Sequence, residues 1–122
     1  MSYDCGISKD KGFIRVVVTG KQTLEANIEL ANACIDACRK HGVSRVLLDI
    51  TGLAGQPGTM ADYELAKLLS AWETNSVVAR AALVEKKEDL PAGKFFETAA
   101  RNRNINIRVF SDLKEAENWL TS

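Results

Sequence analysis

The stretch that decides the fold is Val46-Leu47-Leu48-Asp49-Ile50-Thr51-Gly52-Leu53. Its first half is a near-continuous apolar run inside a predicted strand from Arg45 to Ile50. Such a run is typical of a parallel sheet, because helices cover both faces of the strand and neither set of side chains meets water. The stretch therefore predicts an interior strand that is covered on both sides.

A helix is predicted immediately before this strand. Thr23 is a favourable N-cap for a helix that runs to about His41. Gly42 can adopt the left-handed conformation in which many helices end. The predicted buried face consists of residues spaced three and four apart, namely Leu24, Ile28, Ala31, Ile35 and Cys38.

A glycine-rich loop and a second helix are predicted after the strand. The loop Thr51–Gly58 contains three glycines and a proline, and Thr59 follows as a predicted N-cap. The helix runs to about Asn75. Its predicted buried face is Ala61, Leu65, Leu68, Leu69 and Trp72.

The rest of the chain repeats this alternation of strands and helices. Strands are predicted at Tyr3–Ser8, Phe13–Thr19, Arg80–Glu85 and Ile105–Phe110; a third helix has Pro91 in its first turn and buries Phe95 or Phe96 with Ala99; a final helix is capped by Ser111 or Asp112 and turns Leu113, Ala116 and Leu120 inward. The order β-β-α-β-α-β-α-β-α predicts an α/β fold with about four helices. Its single-layer β-sheet is mixed but mainly parallel, and the antiparallel strand comes from an N-terminal hairpin.

Length, charge and cysteine content limit the classes of function. The 122 residues suit one domain over residues 1–122. Sixteen basic residues balance sixteen acidic ones, so no overall field attracts nucleic acid, and we expect no nucleic-acid partner. The longest apolar runs, such as Val16-Val17-Val18, are too short to span a membrane. Three cysteines cannot all pair within one chain, which favours reduced thiols and a cytoplasmic protein.

Three features together suggest a family. Gly20 precedes a capped helix, the stretch from Val46 to Leu53 ends in Asp, a small polar residue, Gly and an apolar residue, and the chain closes with Val109-Phe110-Ser111-Asp112-Leu113-Lys114-Glu115-Ala116-Glu117-Asn118-Trp119-Leu120. The first two features resemble STAS domains. The ending, a strand-final Phe followed by an acidic cap and Ala-x-x-Trp-Leu, is similar to the uncharacterised SpoIIAA-like branch. The resemblance covers nearly the whole chain from Phe13 on and implies the STAS (SpoIIAA-like) fold.

The resemblance also implies a class of function. STAS domains in general bind partner proteins, nucleotides or small ligands and are not usually enzymes. In the anti-anti-sigma members a phosphorylatable Ser, within Asp-Ser-Ser-Gly, lies where the loop meets the second helix. Here the corresponding loop reads Ala54-Gly55-Gln56-Pro57-Gly58-Thr59-Met60, so only Thr59 could replace that Ser.

The glycine loop is a candidate anion site. Gly52, Gly55 and Gly58 precede a helix N-terminus, where unpaired N–H groups and the helix dipole favour negative charge. The loop is neither G-x-G-x-x-G nor a Walker A motif, and the nearby Asp49 would oppose an anion. The alternative interpretation is a flexible turn with Thr59 as its cap.

The outer side of the second helix is a candidate contact patch. At about 100° per residue, Tyr63 points away from the predicted buried face, and Met60 lies on the same outer side. Alternatively, Tyr63 is an ordinary half-exposed residue. The candidate surface for a protein partner or small ligand is therefore Thr51, Gly52, Gly55, Gly58, Thr59, Met60 and Tyr63, and a homodimer through this helix is one form that the contact could take.

Cys34, Cys38 and His41 lie on one stripe of the first helix. Sulfur and imidazole would suit zinc or copper, but no second pair of ligands follows, and core packing of the cysteines is the simpler interpretation. We expect no metal, no cofactor and no catalytic residues. The leading hypothesis is a non-catalytic STAS-like regulatory or binding module. The alternatives are a small thiol-dependent enzyme that uses Cys38 or Cys34 with His41, and an anti-anti-sigma-type phospho-switch at Thr59.

Overall fold

The computed structural model describes residues 3–9, 12–21, 23–54, 62–73 and 77–122. The strands are β1 (Tyr3–Lys9), β2 (Ile14–Lys21), β3 (Arg45–Ala54), β4 (Arg80–Val84) and β5 (Ile107–Phe110); the helices are α1 (Leu24–His41), α2 (Asp62–Glu73), α3 (Leu90–Arg101) and α4 (Leu113–Thr121), with a short 3-10 helix at Lys87–Asp89. The predicted element order is confirmed.

The five strands form one sheet in the order β1-β2-β3-β4-β5. β1 pairs with β2 in antiparallel orientation, and β2 to β5 are parallel. Ile14 lies opposite Val46, Val46 opposite Ala81, and Ala81 opposite Ile107. The predicted mixed, mainly parallel sheet is therefore confirmed, with the N-terminal hairpin as its antiparallel part.

Alternating side chains of the strands divide the core between the two faces of the sheet. One face contributes Ile14, Val16, Val46, Leu48, Ala81, Leu83, Ile107 and Val109, which pack with residues of α1, α2 and α3. The other face contributes Leu47, Ala82 and Val84, which pack with Ala116 and Leu120 of α4. β3 is thus covered on both sides, as its apolar run predicts.

The ends of α1 follow from its capping residues. The Thr23 hydroxyl accepts a hydrogen bond from the Ala26 N–H at 3.0 Å. Gly42 adopts φ 66°, and its N–H donates to the Cys38 carbonyl. Both predicted ends are confirmed. Burial centres on Ala31, Cys34 and Cys38, whereas the predicted face began at Leu24 and Ile28, which are only half-buried.

Two local predictions are wrong. Residues 51–54 belong to β3 rather than to a loop, because Thr19, Gly20 and Lys21 of β2 pair with residues 52–54 beyond a bulge. Leu113 is 40% exposed instead of inward, because it is the first residue of α4 and lies outside the core cluster that Ala116 and Leu120 join. Neither the pairing beyond the bulge nor the extent of this cluster is visible in a local sequence pattern.

The sequence left two alternatives open in the C-terminal helices, and the structure decides both. Phe96, with Ala99, packs against the core, whereas Phe95 is 60% exposed. Asp112, rather than Ser111, caps α4, and its carboxylate accepts hydrogen bonds from the N–H groups of the second and third helical residues at 2.8 and 3.3 Å.

Arginines from the strands hold the C-terminal end of α4. Arg45 donates to the Leu120 carbonyl, and Arg80 donates to the Trp119 carbonyl at 2.8 Å, which also accepts from the Ser122 N–H. Both carbonyls lie in the last turn, where a helix runs out of regular main-chain partners. The guanidinium groups of Arg80 and Arg108 each lie 5.5 Å from the centre of the Trp119 ring. Together with the buried Leu120, these contacts dock α4 on the sheet.

A half-buried carboxyl group lies beneath α3, just after the end of β4. A Cβ atom at Gly93 would lie 2.6 Å from Glu85 Oε2, so the absence of a side chain at Gly93 makes room for this carboxyl group. Burial raises the pKa of Glu85 to about 7, and the neighbouring Asp89 adds to the shift. Glu85 is therefore partly protonated near neutral pH.

Leu120→Ala is expected to destabilise the protein by about 2–5 kcal/mol, since Leu120 is fully buried between α4 and the sheet. Urea denaturation followed by circular dichroism measures the change. Thr121→Ala, at an exposed neighbouring position, is the control and should change the free energy of unfolding by less than about 0.5 kcal/mol. An unchanged midpoint for Leu120→Ala would contradict the docking of α4.

Glu85 should make folding stability depend on pH. Its pKa is about 7 in the folded protein and near the ordinary 4.5 when unfolded, so the folded state binds more protons between these values. The contribution of Glu85 to stability is therefore complete below pH 4.5 and is lost as the pH rises to about 7. The loss should be about 1–2 kcal/mol, after allowance for solvent screening of a half-buried group.

Glu85→Gln should remove this component, so the difference in free energy of unfolding between variant and parent should shift in favour of the variant as the pH rises from 4.5 to 7.5. Urea titrations across this range measure it, with the exposed Glu115→Gln as control. A difference that is independent of pH would show that Glu85 ionises normally.

Candidate functional site

Two residues of the candidate surface, Thr51 and Gly52, lie in the described part of the chain at the carboxyl end of β3. Thr51 and Gly52 are exposed there, in the last four residues of the strand. The Asp49 Oδ1 atom accepts hydrogen bonds from the Thr51 N–H at 3.1 Å and from the Thr51 hydroxyl at 2.7 Å. Asp49 therefore orders the backbone that leads to Gly52, and its charge is directed to Thr51.

Gly52 has a packing role that explains its presence. A Cβ atom there would lie 2.8 Å from Cγ2 of Thr19 and 3.2 Å from the Val18 carbonyl oxygen. Val17 pairs with Asp49 and Thr19 with Gly52, so β3 has one residue more than β2 between these pairs and bulges at this point. Directly beyond the bulge, β3 approaches β2 closely at Gly52, where it has no side chain. This accounts for Gly52 without a bound anion.

The remaining predicted positions fall partly outside the described residues. Gly55, Gly58, Thr59 and Met60 lie between residues 54 and 62, where the structure describes nothing. Tyr63 lies in the first turn of α2, but its side chain is outside the described part. The anion site, the Thr59 cap or phospho-switch and the Met60–Tyr63 contact patch therefore stay predictions.

The structure does not assemble a thiol–imidazole site on α1. Cys34 and Cys38 are 0% and 1% exposed, and desolvation raises the pKa of the Cys38 thiol to about 11. His41 is exposed at the end of the helix, beyond these buried positions. A protonated, buried thiol is a poor nucleophile and a poor metal ligand. In the described ranges, no three His, Cys, Asp or Glu side chains come together as metal ligands.

Among the residues that the structure describes, Glu85 is the carboxyl group with a strongly shifted pKa, and the sequence did not single it out. The sequence offered one indication of this site, since Glu85 directly follows the apolar strand residues 81–84, which the structure shows to be buried. Glu85 lies on the face of the sheet that α3 covers. Asp49 is two residues beyond Leu47 on the same strand and therefore shares the face that α4 covers. The two carboxyl groups therefore lie on opposite faces and do not form an acid–base pair.

Among the helices in the described ranges, none has the length and apolar character needed to cross a bilayer.

Solved structures share this architecture at low sequence identity. An anti-sigma factor antagonist from Mycobacterium paratuberculosis is 13% identical, with a TM-score of 0.63 over 99% of this chain and 96% of the other. A DUF3478-family protein with a SpoIIAA-like fold from Shewanella loihica PV-4 is 21% identical, with a TM-score of 0.60 over 97% and 93%. The anti-sigma factor antagonist SpoIIAA in its unphosphorylated form is 13% identical, with a TM-score of 0.53 over 98% and 99%. At these identities the likeness shows the fold alone.

Sequence comparison gives the family. No curated protein matches the chain. The model of the SpoIIAA-like family matches residues 13–121, which is nearly the whole chain and includes both α1 and the α4 ending. This agrees with the mainly parallel sheet and the four α-helices described above. The chain therefore belongs to the SpoIIAA-like family.

Proposed function

We propose that this chain is a non-catalytic regulatory module that binds a protein partner or a small ligand. The observation that carries the proposal is the exposed segment Thr51–Gly52 at the carboxyl end of β3, an interior strand of the sheet. In open α/β sheets ligands bind outside the carboxyl ends of the parallel strands. The chain leads from this segment toward α2, so both belong to one end of the sheet.

A protein is the partner class that the comparisons favour. Two proteins of the same fold are named as antagonists of anti-sigma factors. An antagonist of this kind acts on another protein. If this chain acts in the same way, it needs a surface that binds a protein and no catalytic centre. The proposed surface comprises Thr51, Gly52, Gly55, Gly58, Thr59, Met60 and Tyr63. We further propose that residues 1–122 form one cytoplasmic domain, and a homodimer through the second helix is one form that the contact could take.

The local geometry suits recognition better than chemistry. The Asp49 carboxylate is engaged by two donors from Thr51, so it is held in place rather than presented as a base. Cys34 and Cys38 are buried on α1 and His41 is exposed at its end, which gives no support to a thiol-dependent enzyme that uses these residues as nucleophile and base.

Substitutions on the proposed surface should abolish partner binding without unfolding the protein. Thr51→Arg adds bulk and charge at an exposed position, and Tyr63→Asp changes the outer side predicted for α2. Each tagged variant is expressed in the native host, cross-linked and purified, and the co-purified proteins are quantified by mass spectrometry. The amount of each protein that co-purifies with the parent chain should fall at least about tenfold in the variants, which is the change expected when a contact worth about 1.4 kcal/mol is lost.

Thr121→Arg is the matched control for these variants, because Thr121 is also exposed but lies at the end of α4, on the opposite face of the sheet from α2. Native mass spectrometry of the parent protein tests the small-ligand version of the proposal in the same preparation. Binding at this surface would be refuted by two results together. The co-purified proteins would be the same for Thr51→Arg, Tyr63→Asp and the parent, and the native mass of the parent would show no bound ligand.

The thiols on α1 should be unreactive in the native protein. Burial raises the pKa of Cys38 to about 11, so the reactive thiolate is scarce at pH 8, and the completely buried Cys34 is shielded from reagent. Iodoacetamide labelling read at each cysteine by peptide mass spectrometry should show both modified only after denaturation. Rapid native labelling of Cys34 or Cys38 would instead support the thiol-dependent enzyme.

A further inference from the structure

The outer edge of β5 is where another strand could be added to the sheet. β5 is the terminal strand in the observed strand order. The carbonyls of Asn106 and Phe110 accept hydrogen bonds from the Ala81 and Glu85 N–H groups at 3.1 and 2.8 Å, so these positions face β4. Because facing alternates along a strand, the N–H and carbonyl of Val109 point away from the sheet. Exposed groups of this kind are a template for strand pairing.

Two side chains of α3 occupy both outward groups of Val109. Glu97 Oε1 accepts a hydrogen bond from the Val109 N–H at 2.8 Å. Lys94 Nζ donates to the Val109 carbonyl oxygen at 2.9 Å. The two side chains also form an ion pair at 3.3 Å, one helical turn apart. The edge therefore has the donor and acceptor that an added strand would otherwise supply.

The position of α3 makes this arrangement possible. A Cβ atom at Gly93 would lie 2.7 Å from Val109 Cγ1, so the glycine allows the helix to lie directly against the strand. Because the helix lies this close, the side chains of Lys94 and Glu97 reach the backbone of Val109. The side chain of Glu97 is only 15% exposed, so its contact with the strand is largely shielded from water. Hydrogen bonds of a shielded charged group are stronger than those at an open surface.

We propose that Lys94 and Glu97 close the β5 edge to strand addition, and that the excluded occupant is the β5 strand of a second copy of this chain. Two identical edges related by a two-fold axis would pair in antiparallel orientation and join two sheets into one. While Lys94 and Glu97 occupy Val109, an incoming strand finds no partner at Val109 for its own main-chain groups. This device is independent of the proposed binding surface at the carboxyl end of β3.

The test removes both contacts in the full chain by combining Lys94→Met with Glu97→Ala. Hydrogen exchange measured by NMR reports on the Val109 amide, and sedimentation velocity over a range of protein concentrations reports on self-association. The Val109 amide should exchange at least about tenfold faster at low concentration, where it has lost its acceptor. At high concentration the double variant should form larger species than the parent chain.

The matched control combines Asp36→Ala with Arg39→Met. This pair is also spaced by three residues on a helix, but its atoms lie 4.0 Å apart and both side chains are largely exposed on α1. The control should match the parent chain in exchange at Val109 and in association. Enhanced association of the control to the same degree would overturn the proposal, because loss of surface charge alone would then explain it.

Circular dichroism first establishes that the double variant is folded. If it is not, Glu97→Gln replaces it, since the glutamine keeps the shape of the side chain but loses the charge that binds Lys94. This variant should show a smaller change in the same direction. A folded variant in which Val109 exchanges as in the parent, or which associates no more than the parent at the highest concentration, overturns the proposal.

Discussion

The packing of β3 is the constraint on which the rest of the structure depends. The strand has a partner on each edge and helices on both faces, so its main-chain groups and side chains must be satisfied without water. Val46, Leu47 and Leu48 are at most 3% exposed and meet this condition. One helix layer would leave half of these side chains in water, which explains why α4 must dock opposite α1, α2 and α3.

The docking of α4 combines apolar burial with arginine contacts. Ala116 and Leu120 fill the face, while Arg45 and Arg80 satisfy carbonyls at the end of the helix. These arginines extend from strands that begin at the same end of the sheet, where the C-terminal end of the antiparallel helix arrives. The Trp119 ring lies against the guanidinium groups of Arg80 and Arg108 and contributes further contact area. The arginines near α4 therefore have structural partners.

The two ends of the parallel strands differ in their use. The end near the start of the strands is taken up by the anchoring of α4, whereas the carboxyl end carries the exposed Thr51 and Gly52. The proposed partner surface therefore lies at the carboxyl end, where α4 does not cover the exposed residues. The chain belongs to the SpoIIAA-like family, and its sequence lacks the Asp-Ser-Ser-Gly segment that the resemblance to anti-anti-sigma members would imply at this end.

The sequence by itself determined the element order, the mainly parallel sheet and the ends of α1, because these depend on short-range patterns: apolar periodicity, the Thr23 hydroxyl and the left-handed Gly42. Only the tertiary structure decided that β3 continues to Ala54, since that depends on renewed pairing with β2 beyond a bulge. The same holds for the raised pKa of Glu85 and the occupied edge at Val109. Both arise where α3 lies against the sheet at Gly93, and contacts between residues far apart in the chain leave no local signal.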